Sequence, residues 1–229
     1  QHLDPQRNYT GEDLAFAGGY LHRSLTAYKL STDGNTANSI IGDLATDTGK
    51  ATDGAKTWAF TLRDGVKFED GTPITSKDVK YGVERSLDKD VFPDGPTYMA
   101  GFLDLQGYTS PYKDKDPNKL GLKAIETPDD QTIIFHLKKP FAGFDYFTMQ
   151  PATMPVPIKA DTGAKYKQHV VSSGPYKFET NNLGKNFSLV RNTNWDPATD
   201  PNRKALPDRI EVALNVNADD IDNRLQSGD

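Results

Sequence analysis

The sequence predicts a mixed α/β fold, of the α+β kind in which hairpins and helices are interleaved. Three observations predict it. Trp58, Phe60 and Leu62 alternate with Ala59, Thr61 and Arg63, the two-residue period of a strand with one buried face. A second alternating pair of runs, 122–126 and 132–137, flanks Thr127-Pro128-Asp129-Asp130 and predicts a hairpin. Apolar residues also recur at helical spacing, as Leu14, Ala17, Leu21 and Leu25 and again as Val79, Val83 and Leu87.

Along the chain, residues 2–11 are short and turn-rich. A helix is expected from Glu12 to Tyr28, weakened by Gly18-Gly19 at roughly 1 kcal/mol per glycine. Residues 31–38 form a polar loop, after which Ile40, Ile41 and Leu44 return to the core. Runs 46–51 and 57–62 should pair around Thr52-Asp53-Gly54-Ala55. Asp64-Gly65 supplies a tight hairpin turn and Asp70-Gly71 a second one. Pro73 should end pairing, having no N–H to give. Thr75 is the expected N-cap of the next helix, with Asp78 in the capping-box position.

Residues 88–116 form a long loop broken by Pro93, Gly95, Pro96, Gly101, Gly107 and Pro111, and loops of that length are often functional. Its aromatics Phe92, Tyr98, Phe102, Tyr108 and Tyr112 are expected for the most part to hold the loop to the surface. Phe141, Phe144 and Phe147 lie three apart, as on one inward face of a short helix. Met154-Pro155-Val156-Pro157 is extended, because a residue before proline avoids the helical region. Strands are expected at 177–179, 187–191 and 210–214.

Composition removes several function classes. With 229 residues the chain can bury one sizeable core or two modest ones. Hydrophobic residues are 35 % and charged residues 26 % of it, and no run approaches the roughly 20 apolar residues of a membrane span. The net charge of −5 is spread out, which argues against nucleic acid as a partner. The chain has no cysteine, so disulfides and a thiol nucleophile are excluded.

Reactive constellations are lacking too. No G-x-S-x-G frames a serine nucleophile. His2, His22, His136 and His169 are scattered without an H-x-x-x-H pair, so no metal site and no catalytic residue is expected. His136 should serve as a surface partner of its sheet. Asp43, Asp47 and Asp53 lack a calcium-loop spacing and are expected in solvated turns. Phosphate-binding glycine loops are absent from the sequence. Binding is the function class left, with no cofactor.

One stretch is specific. Leu62-Arg63, Gly65-Val66-Lys67-Phe68, Asp70-Gly71, Pro73-Ile74-Thr75 and Asp78-Val79, with Arg85 after them, resemble without a gap the signature of the family 5 extracellular solute-binding proteins. These are the peptide- and oligopeptide-binding receptors of ABC importers. Leu3-Asp4-Pro5, Leu44-Ala45, the L-K-K-P-F of residues 137–141, the Pro-rich 154–157 run and Asn192 to Trp195 also match. Ser172 to Tyr176 resembles a G-x-G-P-Y pattern with Ser172 in place of the first glycine.

The resemblance implies a type II periplasmic-binding-protein-like lobe I with an inserted, hairpin-rich side subdomain. Residues 1–43 and 172–229 would form the discontinuous lobe I and 44–171 the side subdomain. Lobe II would be absent, the chain matching the N-terminal half of a family member. Tyr9, Thr10, Gly11, Tyr98, Ser173 and Gly174 are the implied ligand-binding residues, the first three as a backbone edge. Arg63, Asp70 and Asp78 would hold turns and helix ends instead.

The implied protein is not an enzyme. It is an exported extracellular or periplasmic monomer, with the export signal upstream and a lipid-bearing cysteine there left open. It would capture a peptide or other small solute by hinge closure of two lobes and deliver it to an ABC transporter permease. Two alternatives stay open: another cargo such as an oligosaccharide or a metal complex, or peptide sensing without transport.

Overall fold

In the computed structural model, residues 3–8 and 10–228 are described. The strand alternation is realised as a four-stranded antiparallel sheet. It comprises β3 (Lys50–Thr52), β4 (Thr57–Thr61), β5 (Ile125–Glu126) and β6 (Thr132–His136), in the order β3-β4-β6-β5. Its central register sets Trp58 opposite Phe135 and Phe60 opposite Ile133, which puts all four side chains into one buried face. Burying each of these is worth about 1.5–3 kcal/mol. Helix α2 (Ser76–Ser86) adds Val79 and Val83 to the same core. Ala45 bridges Leu62, extending the β3–β4 pairing backwards as the sequence implies.

Two details of the 58–87 unit differ from expectation. Asp64-Gly65 does turn the chain, but the tight hairpin forms one turn later: Phe68 N–H donates to Thr72 O at 2.9 Å, and Ile74 N–H to Val66 O at 3.0 Å. Pro73 does not end this pairing. It stands opposite Lys67 in a non-hydrogen-bonded position, where the flanking residues carry the ladder and no N–H is needed from it. The capping box is present, and Asp78 Oδ2 accepts from both the N–H and the hydroxyl of Thr75 at 2.8 Å.

The helix expected over 12–28 stops early. Helix α1 (Gly11–Phe16) continues as a π-helical turn, Ala17–Leu21, closed by His22 N–H on Ala17 O at 2.8 Å. Gly18 and Gly19 stand inside that wider turn, consistent with their weak hold on an α-helix. The chain then extends, and β1 (Thr26–Tyr28) pairs with β2 (Ile40–Gly42). Tertiary pairing outweighs the helical stripe, and Leu25 reaches the core from extended backbone.

A third sheet, β7-β8-β9 (Tyr176–Asn182, Asn186–Arg191, Arg209–Ala213), is antiparallel, with a bulge between Phe178 and Thr180. Leu21, Tyr176 and Leu189 form its small core, with Phe16, Tyr20 and Phe187 packed around them. Two more short helices, α3 (Tyr98–Phe102) and α4 (Phe144–Phe147), carry an aromatic cluster of Phe102, Phe141, Phe144 and Phe147. Helix α5 (Ala218–Ser227) closes the described chain. The architecture is therefore mixed helix and antiparallel sheet, as the two periods predict.

A candidate ligand-binding groove

The N-terminal segment and α1 meet the rest of the molecule through two buried ion networks. In the first, Arg23 Nε donates to Asp43 Oδ1 at 2.8 Å, and Arg203 Nη2 donates to Asp43 Oδ2 at 2.9 Å. Asp200 Oδ2 accepts from Arg203 Nη1 at 3.1 Å and from Trp195 Nε1 at 3.0 Å. Two cations and two anions thus neutralise one another out of water. Burial alone would raise the Asp200 carboxyl, yet Arg203 and Arg23 hold it below its usual range. Arg203 Nε also donates to Gly18 O at 2.8 Å, fixing the π turn. Arg63 donates to Asp43 O and Gly42 O, so its role is to hold the turn that sequence implied. Asp70 likewise accepts from the N–H and hydroxyl of Thr72.

The second network centres on Arg85, which is fully buried. Its Nη1 and Nη2 grip Asp4 at 3.1 and 3.0 Å, and Nε donates to Asp161 Oδ2 at 3.0 Å. Gln6 Oε1 accepts from Nη1 as well. The guanidinium lies between the rings of Phe92 and Tyr166, 4.6 and 4.8 Å from their centroids. Tyr81 and Tyr112 each donate a phenol hydrogen to Asp161 Oδ2, at 2.9 and 2.7 Å. Those bonds stabilise the carboxylate that exceeds the single cation. Phe92 and Tyr112 are thereby accounted for as loop-holding aromatics.

Between these networks a groove of about 440 Å³ runs along one face of α1. Leu14, Ala15, Gly18 and Gly19 form one wall and Met149, Gln150, Pro151 and Met154 the other, with Tyr28, Leu30 and Arg203 at its end. The lining is chiefly apolar. Its one full charge, Arg203, is already offset by Asp43 and Asp200. A smaller hollow of about 200 Å³ lies between Phe16 of α1 and Phe178 and Phe187 of the third sheet.

None of the described ligand residues expected from the sequence lines this groove. Tyr9 lies outside the described residues. Thr10 is exposed and caps α1 by accepting from Asp13 N–H, and Gly11 opens the helix with free space about its Cα. Leu14, which lines the groove, hydrogen-bonds back to Thr10 O at 3.0 Å. Tyr98 is 44 % exposed and packs on Phe147, whose ring centroid is 5.8 Å from its own, and neither residue lines the groove.

Ser173 and Gly174 lie elsewhere, in a buried seam at the far end of the π turn. Ser173 Oγ accepts from Arg23 N–H at 2.9 Å, and both backbone N–H groups donate to Leu21 O. A Cβ on Gly174 would stand 2.9 Å from Tyr20 O, so the close approach there requires glycine. Thr10 and Gly174 bracket a helical run of about 15 Å and do not meet. Sequence reasoning missed Leu14, Tyr28, Leu30, Met149, Gln150 and Arg203. Leu14 belongs to a helical stripe that reads as core, and the other five carry no motif.

Comparison with known proteins agrees with the architecture. Residues 39–229 match the family model described as bacterial extracellular solute-binding proteins, family 5 Middle. The chain belongs to that family. It is 30% identical over 234 residues, 99% of the chain, to the probable D,D-dipeptide-binding periplasmic protein DdpA of Escherichia coli K12, of which it covers 39%. It is 33% identical over 150 residues to the periplasmic oligopeptide-binding protein OppA of the same organism, covering 63% of this chain and 27% of that one. A solved structure, clavulanic acid biosynthesis oligopeptide binding protein 2, superposes with a TM-score of 0.92 at 41% identity. It is matched by 100% of this chain and over 40% of its own length. These relatives are described as binding proteins, and the first two as periplasmic. Among the described residues no helix is long and apolar enough to cross a membrane.

Proposed function

We propose that this chain supplies one wall of the ligand cleft of a longer, exported solute-binding protein that captures peptides for an ABC importer. A second lobe closes over the ligand by a hinge motion and hands it to the permease. The observation that carries this reading is the groove along α1. It is apolar and open, and its only full charge is internally compensated. Such a surface recognises shape and backbone more than side-chain charge, which suits peptides of varied sequence. In this reading Tyr9, Thr10 and Gly11 offer the backbone edge and Tyr98 an aromatic rim. Ser173 and Gly174 support the site from behind by fixing the end of the π turn. The names of the family relatives, dipeptide- and oligopeptide-binding, favour peptide over other cargo.

The test uses the full-length protein purified from its native host without refolding. Mass spectrometry of the co-purifying ligand should return short peptides, and calorimetry should reproduce their binding. An oligosaccharide or a metal complex in the cleft would overturn the peptide assignment. Peptide binding with no uptake defect on deletion of the gene would overturn the transport role and favour sensing.

A further inference from the structure

We infer that the groove offers a bound peptide one backbone donor, the N–H of Tyr28, at a gap in the outer edge of β1. The inference deepens the peptide reading of the groove and rests on it.

β1 and β2 form a two-stranded sheet, so each has one edge without a neighbouring strand. Asp43 N–H donates to Leu25 O at 2.9 Å, and Lys29 N–H donates to Ser39 O at 2.8 Å. With Ala27 opposite Ile41, this register turns the backbone groups of Leu25, Ala27 and Lys29 toward β2. Those of Thr26, Tyr28 and Leu30 face the outer edge. The outer edge of β2 borders no part of the groove, and Arg63 donates to its Gly42 O at 3.2 Å.

Two clamps hold the outer edge of β1. At its start, Thr26 N–H donates to Thr148 O at 3.5 Å and the Thr26 hydroxyl to Asp145 O at 2.8 Å. Thr26 O accepts from Ser24 Oγ at 2.7 Å. At the far end, Asn202 Nδ2 donates to Tyr28 O at 2.9 Å, and its Oδ1 accepts from Leu30 N–H at 3.1 Å. Between the clamps, Tyr28 N–H has no acceptor among the described residues. Ala27, Tyr28, Leu30 and Asn202 all line the groove, so the gap opens into it. Tyr28 and Leu30 are 45 % and 70 % exposed, which leaves large apolar surface there for a ligand to cover.

The edge sets the chemistry of its occupant. A lone N–H takes an acceptor, and Asn202 shows that an amide fits alongside. Its side-chain amide spans Tyr28 O and Leu30 N–H much as the backbone of an added strand would. A peptide carbonyl is the matching group for the remaining donor. When a ligand covers the groove, Tyr28 N–H loses its water, and an occupant without an acceptor there leaves a buried donor unpaired. The gap therefore favours amide-containing ligands without reading their side chains.

The experiment uses the full-length protein and a mixed tripeptide library. Amide hydrogen exchange at Tyr28 should slow at least about tenfold when the protein is saturated with peptide. Exchange at Ala27, whose N–H is turned to β2, should be slow with and without it. Calorimetry then compares Y28A with Y28P. Both lack the ring, and only Y28P lacks the N–H, at an outward-facing edge position where proline is tolerated. Y28P should bind about two- to tenfold more weakly than Y28A, the worth of one hydrogen bond between neutral groups. Should Y28P fail to fold, exchange in the wild-type protein decides. Peptide bound with Tyr28 exchange unchanged, or folded Y28P binding as tightly as Y28A, overturns the inference and leaves the peptide reading standing. A wild-type protein that binds no peptide overturns the peptide reading and the inference with it.

Discussion

His22 and Glu84 are buried groups whose charged forms the fold disfavours, in opposite directions along the pH axis. Burial pulls His22 down to about 4, against a hydrogen bond to Leu3 O and the nearby Asp4, with Arg85 and Arg203 adding repulsion. Burial pushes Glu84 up to about 7, against the Leu122 N–H and Lys80, with Asp114 adding repulsion. For Glu84 the native carboxyl keeps its proton where the unfolded one has lost it. Its contribution is complete below pH 4.5 and fades as pH rises through 7. For His22 the contribution is complete above 6.5 and fades as pH falls through 4. Each is worth roughly 3 kcal/mol at full extent. Between about pH 4.5 and 6.5 the two slopes cancel. E84Q should therefore leave stability rising with pH across that window, and H22Q should leave it falling. Chemical denaturation at about pH 5 and pH 6.5 reads the tilt, and parallel wild-type and variant profiles would contradict it. None of this is legible in the sequence. It shows that a His is present but not that it is sealed at the end of a π turn, and Glu84 reads as one more polar helix position.

At the scale of elements, α2 shows both what sequence can specify and where it stops. Thr75 and Asp78 were identifiable as a capping box because the motif is local and the bonds close within four residues. T75A should cost about 1 kcal/mol in denaturant unfolding. Gly82 was invisible by the same logic. Sequence alone marks it as a weak helix position, where alanine should gain about 1 kcal/mol. The structure reverses that sign, since a Cβ at Gly82 would stand 2.3 Å from Met154 O and 3.2 Å from Ala152 O. G82A is expected to destabilise by about 1–3 kcal/mol, as overpacking does. A stabilised G82A, measured in the same titration as T75A, would show that the 151–154 turn can yield. The early end of α1 has the same origin. The stripe Leu14, Ala17, Leu21 and Leu25 is a sound local signal, overridden by the non-local pairing of Thr26–Tyr28 with Ile40–Gly42.

For the whole molecule, the four-stranded sheet, the third sheet and α2 were legible because their periods are local, and the family because its signature is contiguous from Leu62 to Arg85; the β1–β2 pair was not. The groove was not either, because its walls come from residues 14–19 and 149–154, which Arg203 and Gln6 respectively anchor from elsewhere in the chain. The chain covers 39% of the DdpA length, so the proposed cleft has one wall here. That makes a direct prediction about binding. An open apolar groove buries only one side of an extended ligand, and the entropy of association must be met by half of the contacts. The isolated 229-residue chain should therefore bind peptide at least about 100-fold more weakly than the full-length protein, a difference of ~2.7 kcal/mol. Calorimetry on both with one peptide library makes the comparison, with circular dichroism confirming that the shorter chain is folded. Equal affinities would mean that residues 1–229 hold the whole site and that no second lobe closes on the ligand.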